Sequence, residues 1–233
     1  MIKGLIFDYG ATIDSNGTHW AEVIWNQYQT AGVPISKANF RDAYVYAERA
    51  LAVNPYIKPE DNLLRLMQVK IRIEFDYLLG EGILSKNDTT DSVIDAIATG
   101  CYEDARKSVE AAKATLDVLS ARYPMVLVSN FYGNIQAVLD DFKLTSYFPV
   151  VIESAVVGVR KPDPAIFRLG VEALALQPEE VVVIGDSYRK DIQPAQSLGC
   201  DTVWIKGAGW DDSESAVQHD KIITDIAQLQ ELL

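Results

Sequence analysis

The sequence predicts an α/β protein in which a helical region is inserted into a parallel sheet domain. From residue 103 onward, short apolar runs alternate with amphipathic segments, the pattern of a doubly wound parallel sheet. Residues 18–102 show helical periodicity with no convincing strand. Residues 2–7 form a short apolar run with no strand near them in sequence. This first strand therefore has to pair with strands beyond residue 103, which makes the helical region an insertion.

The inserted region is predicted to contain four helices. In each of them apolar residues recur every three or four positions, and Ser36 is a candidate N-cap of the second. The fourth helix, over residues 91–98, is expected to end before Gly100. Four helices joined by short loops favour a small bundle, which we assign to residues 16–102.

The sheet domain is assigned to residues 1–15 and 103–233. Its further strands are predicted over residues 125–128, 150–152, 181–184 and 202–205. Its helices are predicted over residues 109–119, 135–139, 165–174, 192–198 and 225–233. The polar stretch over residues 211–221 is predicted to be a surface loop.

Composition and charge exclude several classes of function. The chain has 233 residues, is 48% hydrophobic, and carries a formal net charge of −12. Such an acidic protein is not expected to bind nucleic acid or an anionic membrane surface. No basic segment precedes a long apolar one, and no run reaches the length of a membrane span. The two cysteines, Cys101 and Cys200, provide no disulfide framework, so we expect a cytoplasmic location.

Polar residues follow the predicted strands at the points where the strands end. They are Asp8 after the first strand, Ser129 and Asn130 after the strand MVLV, and Asp186 and Asp191 after the strand VVVI. Because the carboxyl ends of parallel strands share one edge of a sheet, we expect these side chains to converge. Lys161 adds a positive charge ahead of a helix that starts with proline. Three convergent carboxylates indicate a divalent cation, and the hydroxyl and lysine beside it suit a phosphoryl group.

Four stretches of the chain, IFDYGATID, VLVSN, VRKPDPAIF and VVVIGDSYRKDIQPAQSLG, resemble the haloacid dehalogenase (HAD) superfamily, whose members are mostly phosphatases. The resemblance covers the sheet domain, and the position of the insertion matches the helical cap of that family. It implies a Rossmann-like parallel sheet under a mobile helical cap.

The resemblance also implies a role for each matching residue. Asp8 resembles the nucleophile that becomes an aspartyl phosphate, and Lys161 the residue that balances the charge between nucleophile and phosphoryl group. Ser129 would hold a phosphoryl oxygen, with help from the Asn130 backbone. Magnesium would be held by Asp8, the Gly10 carbonyl and Asp186, with Asp191 supporting it from the second shell or through water.

Gly10 departs from the family pattern. Phosphatases of the superfamily usually carry a second aspartate two residues after the nucleophile, and here that position is Gly10, followed by Ala11 in place of a glycine. The absent carboxyl group normally protonates the leaving alcohol and then activates water, a contribution of about 10²–10⁴ in rate. The Gly10 carbonyl is still available to a metal, so the departure affects the acid–base step.

Three interpretations follow from this departure. The first is a magnesium-dependent phosphatase of a small phosphate ester that is slow, or that borrows an acid such as His19 or Asp14. The second is a phosphonatase or dehalogenase, although a dehalogenase needs no magnesium site. A phosphonatase needs a reactive lysine in the cap, where we expect Lys37, Lys58, Lys70 and Lys86 to be solvated surface residues. The third is a non-catalytic module that binds a phosphorylated ligand or partner. The sequence predicts neither the particular ester nor the oligomeric state.

Overall fold

The computed structural model describes residues 1–209, 214 and 216–233. Its strands are β1 (Gly4–Phe7), β2 (Met125–Ser129), β3 (Val150–Glu153), β4 (Val181–Gly185), β5 (Asp201–Ile205) and β6 (Ile222–Ile223). They form one parallel sheet in the order β3–β2–β1–β4–β5–β6. The predicted parallel α/β fold is confirmed, with the N-terminal strand between β2 and β4. Residues 210–213 and 215 lie outside the described residues, as does that part of the loop predicted over residues 211–221.

The helices surround this sheet or form the inserted region. They are α1 (Trp20–Thr30), α2 (Lys37–Val53), α3 (Leu63–Gly80), α4 (Thr90–Ser120), α5 (Ile135–Asp141), α6 (Ser154–Val157), α7 (Ala165–Ala173), α8 (Gln193–Ser197) and α9 (Leu229–Leu232). No helix among the described residues combines the length and the apolar character needed to cross a membrane.

The side chains of β1 point alternately to the two faces of the sheet, so the apolar core has two layers. Leu5 and Phe7 face one side of the sheet, where they belong to the same apolar cluster as Leu116 of α4. Ile6 faces the other side and packs with Phe167 of α7. Successive strand residues point to opposite faces, so apolar residues on both faces require helices on both. The central strand is thereby fixed between two layers, and its carboxyl end becomes a rigid place for a functional residue.

The inserted helices are defined by their caps and their buried faces. The Ser36 side chain accepts a hydrogen bond from Asn39 N at the start of α2, so the predicted cap is confirmed. The Asn62 side chain accepts from Arg65 N in the same way at the start of α3. The buried residues of both helices recur at helical spacing and share one cluster with α1 and α4.

The prediction of two helices over residues 91–98 and 109–119 is wrong, because α4 runs unbroken from Thr90 to Ser120. Gly100 lies inside this helix. A Cβ atom at Gly100 would lie 2.1 Å from Gln27 Oε1, so the glycine allows α1 to approach α4. A glycine in a helix costs about 1 kcal/mol relative to alanine, a cost that the burial of one face of a 31-residue helix readily offsets. The division between residues 102 and 103 remains a proposal, and it falls within α4.

Two C-terminal elements differ in detail from the prediction. In place of one helix over residues 192–198, a turn of π-helix at Tyr188–Ile192 leads into α8. The closing helix begins as a 3₁₀ turn at Ile226–Gln228, capped by the Asp225 side chain, before α9. Strand β6 was not predicted, because two residues are too few to show a periodic pattern.

Candidate active site

The carboxyl ends of three neighbouring strands deliver polar residues to one edge of the sheet. β1 pairs with β2 on one side and with β4 on the other, so Asp8 emerges beside Ser129 and Asp186. The Asp8 N–H donates to Ile184 O at 2.9 Å, which fixes the backbone from which the carboxylate projects. All three residues line the same cavity. This is the edge at which open α/β sheets bind ligands.

Lys161 lies between two of the carboxylates. Its Nζ atom is 2.6 Å from Asp8 Oδ1 and 2.7 Å from Asp191 Oδ1, and its side chain is 3% exposed. Burial acts to lower the pKa of Lys161, but the charges of Asp191 and Asp8 outweigh this effect and raise that pKa. The site therefore holds a buried ammonium group directly beside Asp8, where it can attract an anionic phosphoryl group.

Asp191 joins the loop after β4 to Lys161. Its Oδ1 accepts from Lys161 Nζ, and its Oδ2 accepts from Ser187 N at 3.0 Å. The side chain also packs on Gly185, where an added Cβ would lie 2.5 Å from Asp191 Cβ, so this position requires glycine. Burial raises the pKa of Asp191 to about 6, although Lys161 acts in the opposite direction. Both carboxylate oxygens of Asp191 thus have a donor within the protein.

Asp8, Asp186 and Asp191 form a group of carboxylates that could hold a metal ion. Each offers one oxygen atom, and these atoms lie within 4.8 Å of one another. Among the described residues, the Asp186 carboxylate has no hydrogen-bond donor. Burial, together with the charges of Asp191 and Asp8, raises the pKa of Asp186 well above its ordinary value. Crowded hard oxygen ligands of this kind fit magnesium, which would relieve their repulsion.

The two polar residues after β2 are placed differently. Ser129 is buried and lines the cavity next to Asp8. The Asn130 side chain donates from Nδ2 to Lys161 O at 3.0 Å and accepts from Lys161 N at 2.9 Å through Oδ1. Its amide is thus committed to the backbone of the lysine, and the predicted role of the Asn130 backbone toward a phosphoryl group stays a prediction. The link between Asn130 and Lys161 has no signal in the sequence, because the two residues are far apart along the chain.

Gly10 leaves open space where a side chain could stand. It lines the cavity, and a Cβ atom placed on it would have no neighbour within 4 Å. Its φ angle lies outside the left-handed region, so an L-residue fits the backbone. Ala11 is the strained position, with a φ of 65°, and its N–H donates to Asp14 Oδ1 at 2.7 Å.

The two alternative acids proposed from the sequence occupy different surroundings. Asp14 is 1% exposed and its Oδ2 accepts from Trp20 Nε1 at 3.0 Å, so its two oxygens join the loop after β1 to the start of α1. Burial raises the pKa of Asp14 to about 8, against these hydrogen bonds. His19 lines the cavity, and its Nδ1 accepts from Ala21 N as the N-cap of α1. Of the two, His19 is the one that lines the cavity.

The prediction that all four lysines of the inserted region are solvated is wrong for Lys70. Lys37, Lys58 and Lys86 are exposed, but Lys70 is 2% exposed and its Nζ pairs with Glu48 Oε1. The sequence contained a signal, because Lys70 falls on the apolar face of α3 together with Leu66, Met67, Ile71 and Glu74. A charged residue at a buried helical position requires a partner, and periodicity alone does not say which.

A cavity of about 1040 Å³ connects the sheet edge with the inserted helices. On the helical side it is lined by Tyr44, Glu48 and Lys70 and by the apolar residues Leu63, Leu66 and Met67. Four further basic residues line it, namely Arg160, Arg189, Lys190 and Lys206. Five acidic residues line it as well, namely Asp8, Glu48, Asp186, Asp191 and Glu214, so the charges along the cavity nearly balance in a chain whose net charge is −12.

Known proteins share this sequence pattern over part of the chain. A glyceraldehyde 3-phosphate phosphatase of Pyrococcus furiosus is 37% identical over 93 residues, 39% of each chain. A phosphoserine phosphatase of Thermus thermophilus is 36% identical over 74 residues, 31% of this chain and 30% of the enzyme. The matched segments thus span less than half of either enzyme.

The comparison of folds covers the whole chain. The HAD-hydrolase YfnB of Bacillus subtilis, solved with bound magnesium, superposes with a TM-score of 0.61 at 19% identity, covering 100% of this chain and 98% of that one. At this identity the likeness concerns the fold alone. The sequence model of the haloacid dehalogenase-like hydrolase family matches residues 2–199 of this chain. With most of its length matched, the chain belongs to the haloacid dehalogenase-like hydrolase family.

Proposed function

We propose that the protein is a magnesium-dependent phosphatase that hydrolyses a small phosphate ester through an aspartyl phosphate on Asp8. The observation that carries this proposal is the position of the Asp8 carboxylate. One of its oxygens is 2.6 Å from the Lys161 ammonium group, and the carboxylates of Asp186 and Asp191 lie close by. The phosphatase names of two partial relatives support the same class of reaction.

Substrate binding is assigned to residues on one side of Asp8. Ser129 Oγ and the Asn130 backbone would donate to phosphoryl oxygens, and Lys161 would offset their charge. The hydrogen bonds between the Asn130 side chain and the Lys161 backbone would hold the ammonium group at a fixed distance from Asp8. Such positioning holds the phosphorus atom near the attacking oxygen.

Magnesium would be held by Asp8, the Gly10 carbonyl and Asp186, with Asp191 in support. When bound, the ion would neutralise the crowded carboxylates and the charge on the phosphoryl oxygens. A hydrogen bond from Thr12 Oγ1 to Asp8 Oδ2, at 3.3 Å, orients the nucleophile. Since Lys161 Nζ contacts Asp8 Oδ1, both oxygens of the nucleophile are oriented by the protein.

In the first step a carboxylate oxygen of Asp8 forms a bond to phosphorus while the bond from phosphorus to the ester oxygen breaks. The electron pair leaves with the alcohol oxygen, which then needs a proton. In the second step water attacks the aspartyl phosphate and loses a proton, which regenerates Asp8 and releases phosphate. Gly10 can neither donate the first proton nor accept the second. Esters with acidic leaving groups should therefore react best.

A second candidate function is a non-catalytic module that binds a phosphorylated ligand. It is favoured by Gly10, because the absence of a carboxyl group there affects the acid–base step and leaves the residues proposed to bind a phosphoryl group in place.

A cytoplasmic location and a small phosphorylated metabolite as partner complete the proposal. The two buried cysteines, both free thiols in this structure, support a reducing compartment.

The test is hydrolysis of p-nitrophenyl phosphate and of alkyl phosphates, with magnesium and with a chelator. The phosphatase should release phosphate only with magnesium, and Asp8→Asn should be inert. Activity that persists in Asp8→Asn, in preparations free of other phosphatases, would overturn the assignment of the nucleophile. A folded wild type that binds magnesium but hydrolyses no ester would favour the binding module.

A further inference from the structure

Three residues form a polar cluster at the helical end of the cavity, which we call the cap triad: Glu48, Lys70 and Tyr132. Lys70 Nζ pairs with Glu48 Oε1, and Tyr132 Oη donates to Glu48 Oε1 at 3.0 Å and to Oε2 at 3.1 Å. Glu48 comes from α2, Lys70 from α3, and Tyr132 from the loop that follows Ser129. The triad therefore joins the inserted helices to the loop at the phosphoryl site.

The triad is unequal in exposure. The Lys70 side chain is 3% exposed and its Nζ lies 4.1 Å from the centroid of the Tyr44 ring, so the ammonium group is enclosed. The Glu48 side chain is 37% exposed and lines the cavity. A buried ion pair contributes little net stability compared with apolar residues of the same size. The triad therefore adds little to the free energy of unfolding. Its effect is to place the Glu48 carboxylate at the wall of the cavity.

Glu48 keeps hydrogen-bonding capacity for a ligand. A carboxylate has about four acceptor sites. Among the described residues, its donors are the Lys70 ammonium group at Oε1 and the single hydroxyl hydrogen of Tyr132, which the two oxygens share. Burial acts to raise the pKa of Glu48, but the charge of Lys70 and the hydrogen bonds from Lys70 and Tyr132 outweigh this effect and lower that pKa. Glu48 is therefore an oriented, ionised acceptor with a lone pair available on Oε2.

The charges around the triad determine which kind of hydrogen-bond donor on a ligand Glu48 can bind. Lys70 already balances the charge of Glu48, and the positive charges of Lys190 and Arg160 act on Glu48 and Tyr132 respectively. The Glu74 carboxyl group acts on Tyr132 in the opposite direction, but burial raises the pKa of Glu74 and so weakens its charge. The basic groups therefore disfavour an ammonium group and tolerate a neutral hydroxyl. Apolar carbon next to that hydroxyl would pack on Leu66 and Met67, which line the same wall.

We propose that Glu48 determines substrate specificity by accepting a hydrogen bond from a hydroxyl group on the alcohol part of a polyol phosphate. This inference rests on the proposed function, because it takes the phosphoryl group to lie at Asp8, Ser129 and Lys161. The alcohol part then extends along the cavity toward the cap triad. Lys70 and Tyr132 act as positioning residues that hold the Glu48 carboxylate.

The experiment compares glycerol 3-phosphate with p-nitrophenyl phosphate, which has no hydroxyl to offer. In the double variant Glu48→Leu, Lys70→Met, both charges of the ion pair are replaced by apolar groups, so neither member of the pair is left without its partner. The buried Glu74, which also feels the Lys70 charge, can take up a proton in this variant. The ratio of kcat/KM for glycerol 3-phosphate to that for p-nitrophenyl phosphate should fall about 10- to 100-fold, as expected for loss of a hydrogen bond to a charged group. The matched control is Glu22→Leu, Lys37→Met, a partly exposed ion pair between α1 and α2. Its ratio should equal that of the wild type.

Binding provides a readout that does not depend on turnover. In the Asp8→Asn background, calorimetry should show the Kd of glycerol 3-phosphate rising by a similar factor when the double substitution is added. If the double variant does not fold, Tyr132→Phe removes one donor to Glu48 and should lower the same ratio about threefold or more.

Two outcomes would overturn the inference. One is an unchanged ratio and an unchanged Kd in folded variants. The other is a wild-type preference for O-phosphoethanolamine that the double substitution abolishes, since Glu48 would then recognise a cation. A wild type inert toward p-nitrophenyl phosphate would contradict the proposed function instead. The Kd measurement would still decide the role of Glu48 in that case.

Discussion

The side-chain amide of Asn130 forms two hydrogen bonds with the backbone of Lys161, one from its Nδ2 to the carbonyl and one to its Oδ1 from the N–H. The two residues are 31 positions apart and follow different strands. Their connection fixes the segment that carries the ammonium group against the loop that follows Ser129. Lys161 is thus positioned from its backbone as well as through its ion pairs.

Asn130→Ala should lower kcat because the Lys161 ammonium group loses its fixed position beside Asp8. We expect a decrease of about tenfold or more, since small displacements of catalytic groups are costly. Magnesium affinity should change little, because no metal ligand is removed. Steady-state kinetics and calorimetry measure the two effects. Asn26→Ala, on the exposed side of α1, serves as control and should leave kcat unchanged.

Removing Asp186 should abolish the response of the protein to magnesium. At a metal concentration of 100 times Kd, binding should raise the Tm of the wild type by about 5–10 °C. Asp186→Asn should remove this rise and, since it also relieves repulsion from Asp8 and Asp191, should leave the metal-free Tm unchanged or higher. Differential scanning calorimetry with magnesium and with chelator provides the comparison. The exposed control Asp88→Asn should respond like the wild type, and a magnesium shift that survives in Asp186→Asn would refute the metal site.

Gly10→Asp should fold and increase turnover of alkyl phosphates. The position offers open space and an ordinary backbone angle, so the substitution should cause no steric strain. A well-placed carboxyl group would add up to about 10²–10⁴ in kcat for alkyl phosphates and much less for p-nitrophenyl phosphate. Gly10→Asn, of similar shape but unable to transfer a proton, is the matched control. Equal gains from both variants would contradict an acid–base role at residue 10.

If the wild type already hydrolyses alkyl phosphates quickly, another group supplies the proton. His19 is the first residue to test, because it lines the cavity whereas both oxygens of Asp14 already accept hydrogen bonds, from Ala11 N and from Trp20 Nε1 of α1. His19→Gln would then lower kcat for alkyl phosphates more than for p-nitrophenyl phosphate. An equal decrease on both esters would indicate a structural effect at the start of α1.

The buried Glu74 should make the stability of the protein depend on pH. Glu74 Oε2 accepts from Tyr28 Oη at 2.8 Å, and Oε1 has no partner among the described residues. Burial raises the pKa of Glu74 to about 7 from an ordinary value of 4.5. The folded state therefore binds a proton that the unfolded state has released between these values, so stability falls as pH rises from 4.5 to 7.

Glu74→Gln should remove this dependence while keeping an acceptor for Tyr28. The free energy of unfolding of the variant relative to wild type should increase by on the order of 3 kcal/mol from pH 4.5 to pH 8. Urea denaturation at several pH values measures this difference, and the exposed Glu81→Gln is the control. A difference that stays constant over this range would show that Glu74 is ionised in the folded state throughout.

The sequence predicted the fold and the sheet edge well because their signals are local. A buried strand followed by a polar residue is visible in the sequence, and parallel pairing brings such residues together without further information. The prediction that a helix ends before Gly100 was wrong because a glycine that ends a helix and a glycine that makes room for a neighbouring helix look alike in sequence. The difference depends on Gln27, 73 positions away.

The helical side of the cavity was beyond sequence reasoning for a related physical reason. Periodicity shows which face of α3 is buried but not what lies opposite, so the pairing of Lys70 with Glu48 was not predicted. Tyr132 was overlooked because an aromatic residue in a loop more often packs than donates. Each contact links residues far apart in sequence, and only the packed structure brings them together.

The most direct test of the phosphatase proposal is transfer of phosphate to Asp8. A radiolabelled phosphate ester is mixed with the wild type and magnesium, the reaction is quenched in acid within one turnover, and the labelled peptide is sequenced. The proposal predicts label on Asp8 in the wild type and none in Asp8→Asn. The label should also persist longer than in Gly10→Asp, because Gly10 cannot activate the water of the second step. Ester hydrolysis without labelled protein, or label on a residue other than Asp8, would contradict it.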